Sequence, residues 1–231
     1  MAIVLYPHNE NAYHAALAML RETGKATVIH PTGTGKSFIG FKLCENFPEK
    51  RVCWLSPSEY IFRTQLENLA KESGFVPENI RFFTYARLMV MDADEIAAIR
   101  PDFIILDEFH RCGAEQWGQG TQALLNAYSD APLLGLSATN IRFLDNLRDM
   151  VKELFDGYIA SEISLGLWIQ HQRSIRKGFS RGVLNEERIA KLNAIGMCWT
   201  VREHNRWPEY FAAADYANTF GHLNVPSAWD A

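Results

Sequence analysis

The chain has 231 residues, a net charge of −4 and a hydrophobic fraction of 48%, which suits one full α/β domain plus a small second module. The charge excludes a nucleic-acid binder that works by bulk positive charge, and no stretch approaches the roughly 20 consecutive apolar residues that a membrane-spanning helix needs. The opening MAIVLYPHNE lacks the basic, long-apolar and small-residue order of a secretory signal, so a cytoplasmic protein with no membrane partner is expected.

In chain order, Tyr13, Leu17 and Leu20 recur at helical spacing, as do Phe62, Leu66 and Leu69. Apolar runs at 27–29, 52–55, 80–83, 103–106 and 133–136 read as strands. They lack period-two alternation, which suits a parallel sheet covered on both faces. The alternation of strand and helix predicts a doubly wound α/β domain. After about residue 165 the strand pattern stops, and three helical stretches follow at 165–177, 186–195 and about 208–220. The middle one is punctuated by Asn185 as N-cap, Glu186 and Glu187 in the first turn, and Gly196 past its end. Leu184 and Ile189 sit where a hydrophobic staple closes. Two domains are therefore expected, 1–164 and 165–231. The charge changes sign near the same place, with 15 Lys and Arg against 21 Asp and Glu through residue 165, then 8 against 6. Cys44, Cys53, Cys112 and Cys198 form no C-x-x-C pair and are expected as buried free thiols.

In sheets of this kind ligands bind beyond the carboxyl ends of the strands. The first strand runs into His30-Pro31-Thr32-Gly33-Thr34-Gly35-Lys36-Ser37 and then a helix. In isolation that is a glycine-rich strand-to-helix turn. Its spacing is also that of a phosphate-binding loop: glycines let the backbone wrap phosphates, Lys36 reaches the β and γ phosphates, and Ser37 holds Mg²⁺. His30 stands where the usual pattern begins with Gly or Ala. The fourth strand ends in Asp107-Glu108-Phe109-His110. A turn at the strand end brings both carboxylates to one site, Asp107 to hold Mg²⁺ and Glu108 to orient and deprotonate the attacking water. Ser137-Ala138-Thr139 ends the fifth strand in the same topological position.

Together HPTGTGKS, DEFH and LSAT, in this order, resemble the signature motifs of superfamily 2 helicases. The resemblance is to the type III restriction subunit and DEAH-like branch and covers about residues 1–165. It implies a RecA-like P-loop domain using ATP and Mg²⁺, with His110, Ser137 and Thr139 coupling hydrolysis to movement. Ser56, Pro57, Ser58, Thr84 and Tyr85 fall at the family's strand-contact motifs, which touch the nucleic-acid backbone without reading bases. Tyr6-Pro7-His8-Asn9 resembles the adenine-recognition segment, with Asn9 at the place of a glutamine; Tyr6 and Asn9 are thus implied adenine contacts. Leu165-Gly166-Leu167-Trp168-Ile169, Gln172-Arg173, Glu186-Glu187-Arg188-Ile189 and Gly221-His222-Leu223-Asn224-Val225-Pro226 resemble a helicase-associated repeat in shifted order. The resemblance implies a second RecA-like domain, which is not found after the third motif.

Between residues 164 and 185 the chain carries Arg173, Arg176, Lys177 and Arg181 and no acid, which reads equally as a phosphate-contacting run or a solvated helix face. Trp168, Trp199 and Trp207 read as packing. The expected partners are nucleic acid, DNA first, and a second RecA-like domain or a restriction and modification subunit in trans. Three functions stay open: an ATP-driven nucleic-acid motor domain, a nucleotide- and nucleic-acid-binding module without turnover, and a P-loop ATPase acting on something else.

Overall fold

A computed structural model of the chain describes residues 3–140, 148–163, 165–180, 182–194, 197 and 199. The chain divides into two compact units, Met1–Ser164 and Leu165–Ala231. In the first, helix α1 (Pro7–Thr23) starts on a proline, whose missing N–H costs nothing in a first turn. It buries Ala12, Tyr13, Ala16 and Leu20 along one stripe. Strand β1 (Lys25–Ile29) follows, then α2 (Ser37–Asn46), β2 (Val52–Ser56), α3 (Glu59–Ser73) and β3 (Ile80–Thr84). Two short helices, α4 (Tyr85–Leu88) and α5 (Ala93–Ala97), lead to β4 (Phe103–Asp107) and a 3₁₀ turn (Phe109–Gly113). Helix α6 (Glu115–Ala127), β5 (Leu133–Ser137), α7 (Met150–Phe155) and β6 (Ile159–Glu162) complete the unit.

The six strands lie in the order β3-β2-β4-β5-β1-β6 and every pairing is parallel. Each of the five expected strands is present. β6 is an addition at the edge: its Ile-Ala-Ser-Glu stretch is polar and half-exposed because one side has no neighbouring strand, so it gives none of the continuous apolar signal of the inner strands. The period of two is hidden inside the fully apolar strands rather than lost. Trp54 and Ile105 pack on one face with Tyr13, Phe41 and Leu69, while Cys53, Leu55, Ile104 and Leu106 pack on the other with Phe109, Leu124 and Phe155.

Register aligns the strand ends. Ile29 sits opposite Ser137, Asp107 opposite Leu136, and Ser56 opposite Thr84, so the loop after each strand opens on the same edge. Close packing fixes β5 beneath that edge: a Cβ on Gly135 would stand 2.4 Å from the Phe155 ring and 2.9 Å from that of Phe109. Both rings are fully buried and cannot swing aside. Cys44, Cys53 and Cys112 are free and buried, and burial pushes their thiols up to about 12, 12 and 11.

In the second unit, α8 (Leu165–Arg176) and α9 (Glu186–Ala194) are helical as expected. Asn185 Oδ1 accepts from the Arg188 N–H at 2.9 Å, the cap the sequence predicts. The Arg176 guanidinium lies 4.3 Å above the Trp199 ring, whose Nε1 donates to Asn193 at 2.6 Å. The third expected helix, Arg181, Gly196, Cys198 and Trp207 lie outside the described residues. No helix among the described residues is long and apolar enough to cross a membrane. Replacing Gly135 by Ala should destabilise the first unit by about 1–3 kcal/mol through overpacking. Urea unfolding checks this, and an unchanged midpoint would show that Phe155 yields.

Candidate functional site

The strands β1, β5 and β4 lie side by side, and the loops after them carry the three motifs. Between β1 and α2 the chain forms an open loop in which Gly33 and Gly35 take φ of 82° and 79°, a conformation that costs other residues a Cβ clash. Thr34 closes the turn from inside, its N–H and hydroxyl donating to the Pro31 carbonyl at 3.3 and 2.8 Å. Thr32 and Gly33 are exposed at the loop's crest, whereas Thr34 and Lys36 are buried and Ser37 half-buried at the start of α2. The Lys36 Nζ stands 2.9 Å from Glu108 Oε1.

That contact depends on an unusual backbone. Glu108 is left-handed, with φ of 53°, while its N–H still completes the ladder to Leu136 at 2.7 Å. A non-glycine residue held there costs of order 1–3 kcal/mol and marks a place where the fold overrides local preference. The kink breaks the alternation that would send adjacent side chains to opposite faces. Asp107 points inward from the end of β4, its Oδ2 accepting from Gln65 Nε2 at 2.9 Å and its carbonyl accepting from the Tyr85 hydroxyl at 2.9 Å. Burial pushes the Asp107 carboxyl up to about 6; the Gln65 hydrogen bond opposes this, Glu108 adds to it, and Lys36 opposes it. Its Oδ1 is buried with no hydrogen-bond partner among the described residues.

From β5, Ser137 reaches into the same cluster. His110 Nδ1 lies 2.8 Å from Ser137 Oγ, Ser137 Oγ lies 3.4 Å from Glu108 Oε2, and the Thr139 N–H donates to Ser137 Oγ at 3.3 Å. His110, Ser137 and Thr139 thus form one hydrogen-bonded group with Glu108, although 29 residues separate Ser137 from Glu108.

The other expected contact residues differ in exposure. Asn9 is fully buried under the loop: its Nδ2 donates to the Thr34 carbonyl at 2.8 Å and its Oδ1 meets His30 Nδ1 at 3.1 Å. The amide thus serves the loop, holding the Thr34 carbonyl on one side and meeting His30 on the other. Tyr6 remains exposed, its ring stacked on that of His8. Ser56 and Tyr85 are fully buried in the core. Pro57, Ser58 and Thr84 are half-buried, Ser58 capping α3 through Ile61 N–H and Thr84 capping α4 through Arg87 N–H. In the second unit Arg176 and Lys177 are exposed and Arg173 half-buried.

Sequence reasoning missed Gln65. It lies on α3 between Phe62 and Leu66, and an amide flanking a buried apolar stripe was the available signal. His30 it noticed only as a departure; the residue is fully buried, with Nε2 3.0 Å from Ser161 Oγ on the unexpected strand.

A parallel RecA-like sheet with a phosphate-type loop, a strained acid pair and a Ser-Ala-Thr strand end defines a helicase-like ATP-binding domain. The type III restriction enzyme res subunit model matches residues 2–142, and the chain belongs to that family. A helicase associated domain model matches residues 142–200. That second match begins ahead of α7 and β6, which nevertheless belong to the first compact unit. Among solved structures the chain is similar to the Escherichia coli DEAH/RHA helicase HrpB, with 22% identity over 68% of this chain and 22% of that one, at a TM-score of 0.53. It is likewise similar to the ATP-dependent Type ISP restriction-modification enzyme LlaBIII bound to DNA, with 17% identity, 73% and 16% coverage, and a TM-score of 0.55. The Pyrococcus furiosus Hef helicase domain matches at 16% identity, 66% and 37% coverage, and a TM-score of 0.50. The chain spans well under half of each of those proteins. No curated protein sequence matches it.

The raised Asp107 pKa gives a stability prediction. The folded carboxyl takes up its proton at about 6, against an ordinary value of 3.8, so its protonation favours the folded state at low pH and that benefit is lost as pH rises through about 6. Asp107→Asn should therefore raise stability at pH 7–8 by about 1–3 kcal/mol, with the gain fading toward pH 4. Thermal unfolding across that range checks it, and a pH-independent effect would contradict the burial argument.

Proposed function

We propose that the chain is the ATP·Mg²⁺-binding domain of a nucleic-acid motor of the superfamily 2 type. The observation that carries the reading is the meeting of Lys36 and Glu108 at 2.9 Å beside the unpartnered Oδ1 of Asp107, across the open end of a glycine loop. Lys36 would leave Glu108 for the phosphates of a bound nucleotide, freeing Glu108 to orient and deprotonate water. His110 and Ser137, already bonded to each other, would hold the Glu108 carboxylate as that partner changes.

The residues fit a magnesium ion of modest coordination. No cluster of three or more His, Cys, Asp or Glu that could hold a metal is present among the described residues. Mg²⁺ commonly takes one or two protein ligands and completes its octahedron with water and phosphate oxygens. Asp107 Oδ1 and the Ser37 hydroxyl are the proposed ligands, with Gln65 keeping Oδ2 occupied. The ion would neutralise charge on the phosphoryl group in transfer. The remaining transition-state cation is proposed to come from another RecA-like body or a restriction subunit in trans, because Arg111 lies above the Trp117 ring at 6.0 Å.

Nucleic acid, DNA first, is the proposed partner. The half-exposed Pro57, Ser58 and Thr84 at the ends of β2 and β3 are the candidate backbone contacts on the first unit, and Arg173, Arg176 and Lys177 those on the second.

Lys36→Ala should abolish or greatly weaken ATP·Mg²⁺ binding without unfolding the chain, whereas Glu108→Gln should bind nucleotide and hydrolyse none. Calorimetry and a phosphate-release assay separate the two; equal affinity in wild type and Lys36→Ala would sink the site assignment. Replacing Arg173, Arg176 and Lys177 with Ala should flatten the salt dependence of DNA binding by about one unit of log–log slope per lost phosphate contact. An unchanged slope would make that run a solvated face.

A further inference from the structure

His30, the residue that departs from the usual loop pattern, is tied into a line of hydrogen bonds running from the edge strand to the loop. Asn9 Nδ2 must be the donor to Thr34, since a carbonyl only accepts, and this turns Asn9 Oδ1 toward His30 at 3.1 Å. His30 Nδ1 must then carry the proton. Its Nε2 is left as an acceptor, and the Ser161 hydroxyl 3.0 Å away supplies a proton to it. Every donor along Ser161, His30, Asn9 and Thr34 points the same way, an order in which successive hydrogen bonds polarise and strengthen one another. Burial, reinforced by His8 and Lys36, pushes the His30 imidazole down to about 4, so it stays neutral and the order is kept. His8 Nε2 adds a second donor to the same Thr34 carbonyl at 3.0 Å.

The consequence for the loop follows from the planar trans peptide. Its carbonyl and the next N–H point in opposite directions, so drawing the Thr34 carbonyl toward Asn9 and His8 aims the Gly35 N–H away from them. The approach is close enough that a Cβ on Gly35 would stand 3.2 Å from Asn9 Nδ2. We infer that His30 is a positioning residue of the nucleotide site: through Asn9 it fixes the Thr34–Gly35 peptide plane so that an N–H faces the phosphates, and it anchors that plane to Ser161 on β6. The inference rests on the ATP-binding reading of the loop and adds to it a residue, a direction and a second strand.

The experiment is calorimetric titration of the full chain with ADP and with ATP·Mg²⁺, alongside thermal unfolding. His30→Leu keeps volume and removes both hydrogen bonds, while His30→Asn places an amide nitrogen where Nδ1 lies and restores the bond to Asn9. The expected result is an affinity loss of about tenfold for His30→Leu, as for loss of a buried hydrogen bond, with His30→Asn close to wild type. If His30→Leu does not fold, Ser161→Ala, at a half-buried position, should weaken binding a few-fold, and wild-type affinity there would overturn the inference. So would a folded His30→Leu that binds as wild type while Lys36→Ala does not, a result that leaves the ATP site standing. His30→Asn as weak as a folded His30→Leu would reduce the residue to packing and overturn it too. Wild-type chain that binds no nucleotide would overturn the site reading and the inference together.

Discussion

The ion pair between Lys36 and Glu108 is the contact on which the rest of the site depends. It joins two charged groups that are only 8% and 23% exposed, one from the loop after β1 and the other from the end of β4. Each charge offsets part of the other's desolvation, and Glu108 keeps Ser137 and His110 beside it as well. The two strands that carry them are not neighbours; β5 lies between. The pair can close only because the parallel ladders set Ile29 opposite Ser137 and Leu136 opposite Asp107, bringing three strand ends level.

Around that pair the structure accepts local costs. Glu108 holds a left-handed backbone, Asp107 holds a carboxyl that burial drives toward protonation, and Ser56 and Gln65 each keep a buried oxygen without a partner among the described residues. Such costs gather where charge must be presented rather than hidden. The compensation is visible nearby. Phe109 and Phe155 lock over Gly135, Tyr85 ties down the Asp107 carbonyl, and Ser137 with His110 steadies Glu108. A rigid apolar floor thus supports a strained polar surface.

The departures from the family pattern are coordinated rather than scattered. Asn9 has a shorter side chain than the glutamine expected at its place, and His30 is bulkier than the expected glycine or alanine; each is the other's hydrogen-bond partner. Ser161 completes the set from β6, the last strand before α8 begins three positions on. The phosphate-type loop is therefore tied to the segment that leads into the second unit as well as to the helix before it.

The inner strands, the loop and the acid pair were legible in the sequence because each is a local property. Continuous apolar runs fix buried parallel strands, and glycines with a lysine at fixed spacing allow one backbone shape. Asn185 likewise announced the cap of α9 by its position alone. The edge strand β6 was not legible, since exposure on one side removes the pattern that marks a strand. Nor was the burial of Ser56, Tyr85 and Asn9, whose residue types suit surface contacts but whose strand ends and helix face turn inward. Gln65 on Asp107 and Ser161 on His30 join residues 42 and 131 positions apart. Sequence set which groups were available; only the packing of helices on the sheet decided which polar atoms met, because a buried polar group can bond only to what the fold has placed beside it.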